Sequence, residues 1–180
     1  SVGVRIVLVH GARPQIEQAL KSQKLRQVYS DGVRVTDEDA LSAVKAANGR
    51  LRLEIEALLS MGLPNTPLAG SHLRVTSGNF VIAKPMGVVD GVDMLYTGGV
   101  RRIRVNAIQK HLDGGELVLV SPIGYSPTGE IFNLTHEDVA SNIAISLQAQ
   151  KLIFLADATG LKDAKGELVR EITTGDATRL

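Results

Sequence analysis

Branched apolar residues fall into short runs separated by glycine-marked polar breaks, and the spacing within each run predicts its conformation. Positions 4–9 (VRIVLV) are nearly continuous in apolar character, the pattern of a strand buried on both faces. A glycine turn follows, then a helical stretch from Ile16 to about Lys24. Thr36 and Asp39 stand at capping-box spacing and open a helix from Asp37 to about Ala47. Asn48-Gly49 is a breaker pair, so a separate amphipathic helix is expected to carry Leu51, Leu53, Ile55, Leu58 and Leu59 before Gly62. Over 64–104 short extended pieces (72–76, 79–84 and 99–104) alternate with glycines, which predicts an antiparallel hairpin layer. A short helix at 106–112 leads to core strands at 116–121 and 151–156 (KLIFLA), with an extended piece at 129–134. Between them, Val139, Ile143, Ala144 and Leu147 make one stripe of a helix over 136–150. Strands alternating with helices predict an α/β fold: a mainly parallel sheet sandwiched by helices, plus the hairpin layer.

Composition then removes several function classes. Twenty basic and 19 acidic side chains give a formal charge of +1, with three tyrosines, three phenylalanines and no tryptophan. Neither the basic excess nor the stacking surface of a nucleic-acid binder is present. The longest apolar run falls far short of the roughly 20 residues of a membrane helix. No cysteine is present, which excludes disulfides and thiolate metal sites and fits a cytoplasmic setting. Histidines at 10, 72, 111 and 136 lack metal-ligand spacing, so no metal is expected.

Parallel sheets bind ligands beyond the carboxyl ends of their strands. At His10, Gly11, Ala12 and Arg13 a strand meets a helix N-terminus, a geometry suited to an anion. On residue types alone, a tight connection with a solvated Arg13 is the simpler reading. Arg34, just before a capped helix, can clamp a carboxylate through paired N–H groups or remain an exposed strand residue. Asn133 can orient a ligand, and Asp138 can act on one or simply complement a helix dipole. Asp157 ends the run at 151–156. Residues 162–166 (KDAKG) read as a solvated hairpin turn.

Four segments in order, VLVHGARPQI (7–16), DGVRVTD (31–37), GEIFNL (129–134) and FLADATGL (154–161), resemble the amino-acid kinase family of acetylglutamate kinase. HGARPQ (10–15), LSM (59–61), SGNFVIAKPMGVVDGVD (77–93) and FNLTHEDVA (132–140) bring the chain nearer to the kinase-like domains of N-acetylglutamate synthases. The resemblance runs along 1–180 and implies a partial kinase-like domain, truncated at both ends. A GNAT acetyltransferase domain is expected downstream.

The kinases have three glycines after the histidine; here two are Ala12 and Arg13, which would crowd a phosphoryl group. Their near-N-terminal lysine is not supplied upstream of Val4, and a second is expected beyond Leu180. Phosphoryl transfer needs positioned positive charge, so the resemblance implies a span with no catalysis and no cofactor of its own. Arg34 matches the arginine that grips the substrate carboxylate, and Asn133 a substrate-binding asparagine. Asp138 matches the catalytic aspartate when counted back from Asp157; counted forward from Asn133, the position is Glu137. Arg13 is expected to fill the old phosphate site, partnered by Asp138 or Asp157.

The implied role is regulatory, through L-arginine, in a homo-oligomer that takes L-glutamate and acetyl-CoA elsewhere. Acetylglutamate kinase itself and a non-catalytic arginine sensor are the alternatives. A missing first strand would leave positions 4–9 with an exposed apolar edge.

Overall fold

The computed structural model describes residues 3–61, 73–158, 160, 162–163 and 166–177, and the chain divides into two units, Ser1–Gln150 and Lys151–Leu180. The first runs β1 (Val7–Val9), α1 (Arg13–Ser22), β2 (Val28–Ser30), β3 (Val33–Val35), α2 (Glu38–Ser60), β4 (Val75–Ser77), β5 (Val81–Pro85), β6 (Val88–Val89) and β7 (Val92–Asp93). It continues with β8 (Gly98–Ile103), α3 (Val105–Asp113), β9 (Leu117–Val120), β10 (Ile123–Tyr125), β11 (Ile131–Asn133) and α4 (His136–Leu147). The second unit holds the single helical turn α5 (Thr174–Ala177). It also holds an antiparallel bridge between Lys162 and Leu168, which closes the hairpin turn expected there.

A parallel sheet of order β1-β9-β4 stands beside a mixed sheet of order β11-β10-β5-β8. β9 is central, and Val118, Leu119 and Val120 are buried on both of its faces, as a continuous apolar run requires. β1 pairs with β9 alone. It is therefore an edge strand among the described residues rather than the fully buried one expected. Its three residues are half-buried, and Val4 before it is 70% exposed.

The hairpin layer exists as β5 against β8, with a register shift between Ile82 and Ala83, and as the β6–β7 ribbon. β4 does not belong to that layer; it pairs in parallel with β9. His72, where this strand was expected to begin, lies outside the described residues, as do 64–71.

Helices cover the sheets through stripes set by helical periodicity. Ile108 and Leu112 of α3, with Val139 and Ile143 of α4, join Val118, Val120, Phe80 and Phe132 in one core. Ile16 and Leu20 of α1 meet Ala40, Ala43, Val44 and Ala47 of α2 in another. The small alanines let these two helices approach closely.

Further sequence expectations fail, each for a physical reason. α2 is one helix of 23 residues, not two. Asn48 does not break it because its Nδ2 donates to the Val44 carbonyl, 2.9 Å away, and the side chain is buried. The helix is capped by Asp37, which accepts from the Ala40 N–H at 2.8 Å, and not by Thr36. The run 151–156 forms no strand, and Leu155 is 93% exposed. Apolar composition specifies a strand only where a ladder partner is available, and none of the described residues provides one.

Candidate functional site

Because β1 and β9 run parallel, their carboxyl ends deliver His10 and Ser121 side by side. The His10 N–H donates to the Val120 carbonyl at 3.2 Å, and Nε2 lies 2.8 Å from Ser121 Oγ. His10 is buried, and burial is the main reason its pKa falls below the usual value. Nearby His136 and Arg52 push the same way, against a hydrogen bond with the Gly11 carbonyl.

This lowered pKa has a testable consequence. The folded state favours neutral imidazole, so below about pH 6.5 the unfolded chain takes up the proton first. Stability from His10 is therefore complete above that pH and is lost as pH falls through its lowered folded value. In urea unfolding between about pH 7.5 and pH 5.5, the loss of stability should be smaller in His10→Asn than in the native protein. Equal losses would show that His10 is not the responsible group.

At Gly11 the chain passes against His136 at the start of α4; an added Cβ would sit 3.4 Å from that ring. Ala12 is buried and precedes α1 without a side-chain cap. Arg13 does not fill the turn. Its Nε donates to Glu17 Oε1 at 3.0 Å, and its guanidinium lies 5.2 Å from the centre of the Tyr29 ring. The partner acid is thus one helical turn along α1, where an i,i+4 pair forms readily. That proximity displaces the expected pairing with Asp138 or Asp157.

Arg34, in the middle of β3, is only 7% exposed. One of its terminal nitrogens donates to the Tyr29 hydroxyl at 2.5 Å and lies 3.6 Å from Glu17 Oε1. The guanidinium also stacks 4.7 Å from the Tyr29 ring centre. Tyr29 in turn donates to Glu17 at 2.9 Å. Hydrogen bonds from Arg13 and then Tyr29 hold the Glu17 carboxyl below the usual range. The carboxylate beside Arg34 is therefore the protein's own. Sequence reasoning did not single out Glu17 or Tyr29; the acid four residues after Arg13 was the available signal.

A second node ties Arg34 to Asn133. The Thr97 hydroxyl donates to the Arg34 carbonyl at 2.5 Å and accepts from the Thr36 N–H at 3.1 Å. The Thr36 and Thr97 hydroxyls are 2.8 Å apart, and Asn133 Nδ2 donates to Thr36 Oγ1 at 3.0 Å. Thr36 and Thr97 are both buried. The structure thus brings Arg34 and Asn133 together, through two threonines whose role was not legible in the sequence.

Asp138 sits in the first turn of α4, where Thr135 Oγ1 accepts from its N–H at 3.4 Å. Its Oδ2 accepts from the Val100 N–H at 3.1 Å and its Oδ1 from Asn142 Nδ2 at 2.7 Å. Oδ2 thus ties α4 to β8, while Oδ1 is engaged within α4. Asp157 belongs to the second unit and is exposed; Thr159 and Leu161 of the same motif lie outside the described residues. Among the described residues, no group of three His, Asp or Glu side chains could hold a metal ion, and no helix is long and apolar enough to cross a membrane. What the arrangement offers chemically is polar recognition around a strand–turn–helix.

Comparison with known proteins bears on the family and the fold. A sequence model of the amino acid kinase family matches residues 1–179. The amino-acid acetyltransferase of Ralstonia nicotianae is 50% identical over 177 residues, 98% of this chain and 39% of that protein. The amino-acid acetyltransferase of Pseudomonas fluorescens is 54% identical over 172 residues, 96% of this chain and 40% of its own length. A crystal structure of N-acetylglutamate synthase from Neisseria gonorrhoeae, complexed with coenzyme A and L-arginine, superposes with a TM-score of 0.90 at 35% identity. That match covers 98% of this chain and 42% of the synthase. The chain thus spans about two fifths of the length of these relatives. With its motifs in family order and the family's sequence model matched along nearly all of its length, the chain belongs to the amino acid kinase family.

Proposed function

We propose that this chain is the kinase-like, regulatory portion of an N-acetylglutamate synthase. The whole protein would transfer acetyl from acetyl-CoA to L-glutamate in the first step of arginine biosynthesis. The observation that carries this reading is the internal pairing of the old substrate clamp. Arg34 and Arg13 both face Glu17 and Tyr29, so a carboxylate of the protein itself already occupies the place where a substrate carboxylate would be gripped and offsets part of the positive charge that a phosphoryl-transfer site would direct at substrate. Similarity to acetyltransferases along 96–98% of the chain supports the same reading. In this reading a GNAT domain in the rest of the protein takes acetyl-CoA and glutamate. The present portion binds no cofactor and responds to L-arginine within a cytoplasmic homo-oligomer.

The test is thermal unfolding of the full-length protein with millimolar L-arginine, and separately with ATP plus N-acetylglutamate. A ligand at about 100 times its dissociation constant stabilises the folded state by about 2.7 kcal/mol. A raised midpoint with arginine, together with acetyl transfer from acetyl-CoA to glutamate, is expected. A shift only with ATP and N-acetylglutamate, with phosphoryl transfer, would return the chain to the acetylglutamate kinases.

A further inference from the structure

β8 breaks the in-and-out alternation of a strand that lies with one face on a core. Val100 and Ile103 both pack into the core that holds Phe80 and Phe132, although they are three positions apart and a regular strand would turn them to opposite faces. The register shift between Ile82 and Ala83 resolves this. Ala83 pairs with Val100 and Ile82 with Arg102, which leaves Arg101 as the extra residue of a β-bulge. Arg101 and Arg102 are thereby both exposed, and so is Arg104 beyond Ile103. Lys84 joins them from β5, two residues after Ile82 and paired with Gly99, which has no side chain to cover it.

Arg5, Arg13, Arg34, Arg50, Arg52 and Arg74 each lie 2.8–4.0 Å from a carboxylate oxygen. Lys84, Arg101, Arg102 and Arg104 have no such partner among the described residues. Four positive charges thus gather on one part of the sheet without compensation. Guarding an edge against strand pairing accounts for charge on β8. It does not account for Lys84, because β5 lies inside the sheet, between β10 and β8.

A single exposed ion pair contributes little, so a partner suited to this face engages several of these cations together. Arg102 and Arg104 are about 7 Å apart along the strand, which is also the spacing of alternate side chains on a second extended chain. Tyr125, 37% exposed, shares a row of the sheet with Arg102 through Ile82, and arginine and tyrosine are enriched at protein interfaces. We propose that this face of β8 and β5 docks an extended acidic segment of a protein partner, one with carboxylates at alternate positions. Its carboxylates accept paired N–H groups from the guanidinium groups, and Lys84 adds a further contact. The surface shares no residue with the site around His10, Arg34 and Asn133, so its assignment does not depend on the regulatory reading above.

Fluorescence anisotropy of the full-length protein with a labelled Glu-Val-Glu-Val-Glu-Val-Glu peptide tests it. The comparison is a peptide of the same composition with its glutamates in one block and its valines in another. The alternating peptide should bind more tightly, and added salt should weaken it. Arg101→Gln with Arg102→Gln should weaken it by about tenfold, and Lys84→Gln by less. Arg5→Gln with Arg50→Gln removes the same charge from exposed, already paired positions and should leave the affinity within about twofold. Equal weakening in that control, or equal affinities for the two peptides, would overturn the assignment. Unaltered affinity in both Lys84→Gln and Arg104→Gln would overturn it even if the Arg101 and Arg102 variant failed to fold. Tripolyphosphate binding more tightly than the alternating peptide would assign the face to a small polyanion instead. Loss of self-association in the Arg101 and Arg102 variant, read by sedimentation, would assign it to a second copy of the chain.

Discussion

Replacing Gly98 with valine should abolish the cooperative unfolding transition of this chain, and alanine there should lower its stability by about 1–3 kcal/mol. Gly98 begins β8 opposite Pro85 of β5. A Cβ at this position would stand 2.7 Å from the Lys84 carbonyl oxygen and 2.8 Å from Phe132 Cβ. The first contact is backbone within a sheet and the second is the stem of a core aromatic, so neither can yield. Valine would need β8 to leave its register. A domain whose whole stability is about 5–15 kcal/mol does not survive the loss of its main antiparallel pairing. Gly99→Ala is the control, because its Cβ would meet only the end of Lys84, at 4.0 Å. Urea unfolding should show that variant within about 0.5 kcal/mol of the native protein. Equal losses at the two glycines would refute the steric account.

Thr97→Val should cost about 2 kcal/mol or more while Thr97→Ser costs much less. The isosteric change keeps the volume and removes a hydroxyl that serves the Arg34 carbonyl, the Thr36 N–H and the Thr36 hydroxyl together. Leaving a buried backbone group unpaired costs about 1–3 kcal/mol, and here two are stranded. The loss should be local in its signature. Amide exchange at Thr36 should accelerate in Thr97→Val and stay protected in Thr97→Ser. Protection that persists in the valine variant would mean that the network is not held through Thr97.

How far these features were legible in the sequence depends on whether the deciding interaction was local. The strand at β9 and the helices α3 and α4 were readable from periodicity because their burial follows from their own residues. The Asn48-Gly49 pair is a turn signal by propensity, but here the Asn48 side chain bonds back within the helix and packs against the core, and tertiary burial outweighs propensity. The run 151–156 shows the opposite error: its composition asks for a ladder that none of the described residues provides. At the site, Arg34, Asn133 and Gly11 could be nominated from family resemblance. Thr97 could not, because its partners lie 61 and 63 residues away. Arg13 was placed wrongly since a guanidinium pairs with the nearest acid it can reach, and Glu17 is one turn away.

The pairing of β1 with β9 also has a consequence for synthesis. His10 and Ser121, which meet where these strands end, are separated by 111 positions. A ribosome adding about 5–20 residues per second leaves β1 without its partner for roughly 5 to 20 s after it is made. During that interval Val7, Leu8 and Val9 present an apolar strand with no ladder, and neighbouring nascent chains on a polysome present the same one. Slow elongation through the 64–104 stretch would lengthen the wait and favour aggregation. The yield of folded protein should therefore respond to codon choice in the middle of the gene more than to codon choice after Val120.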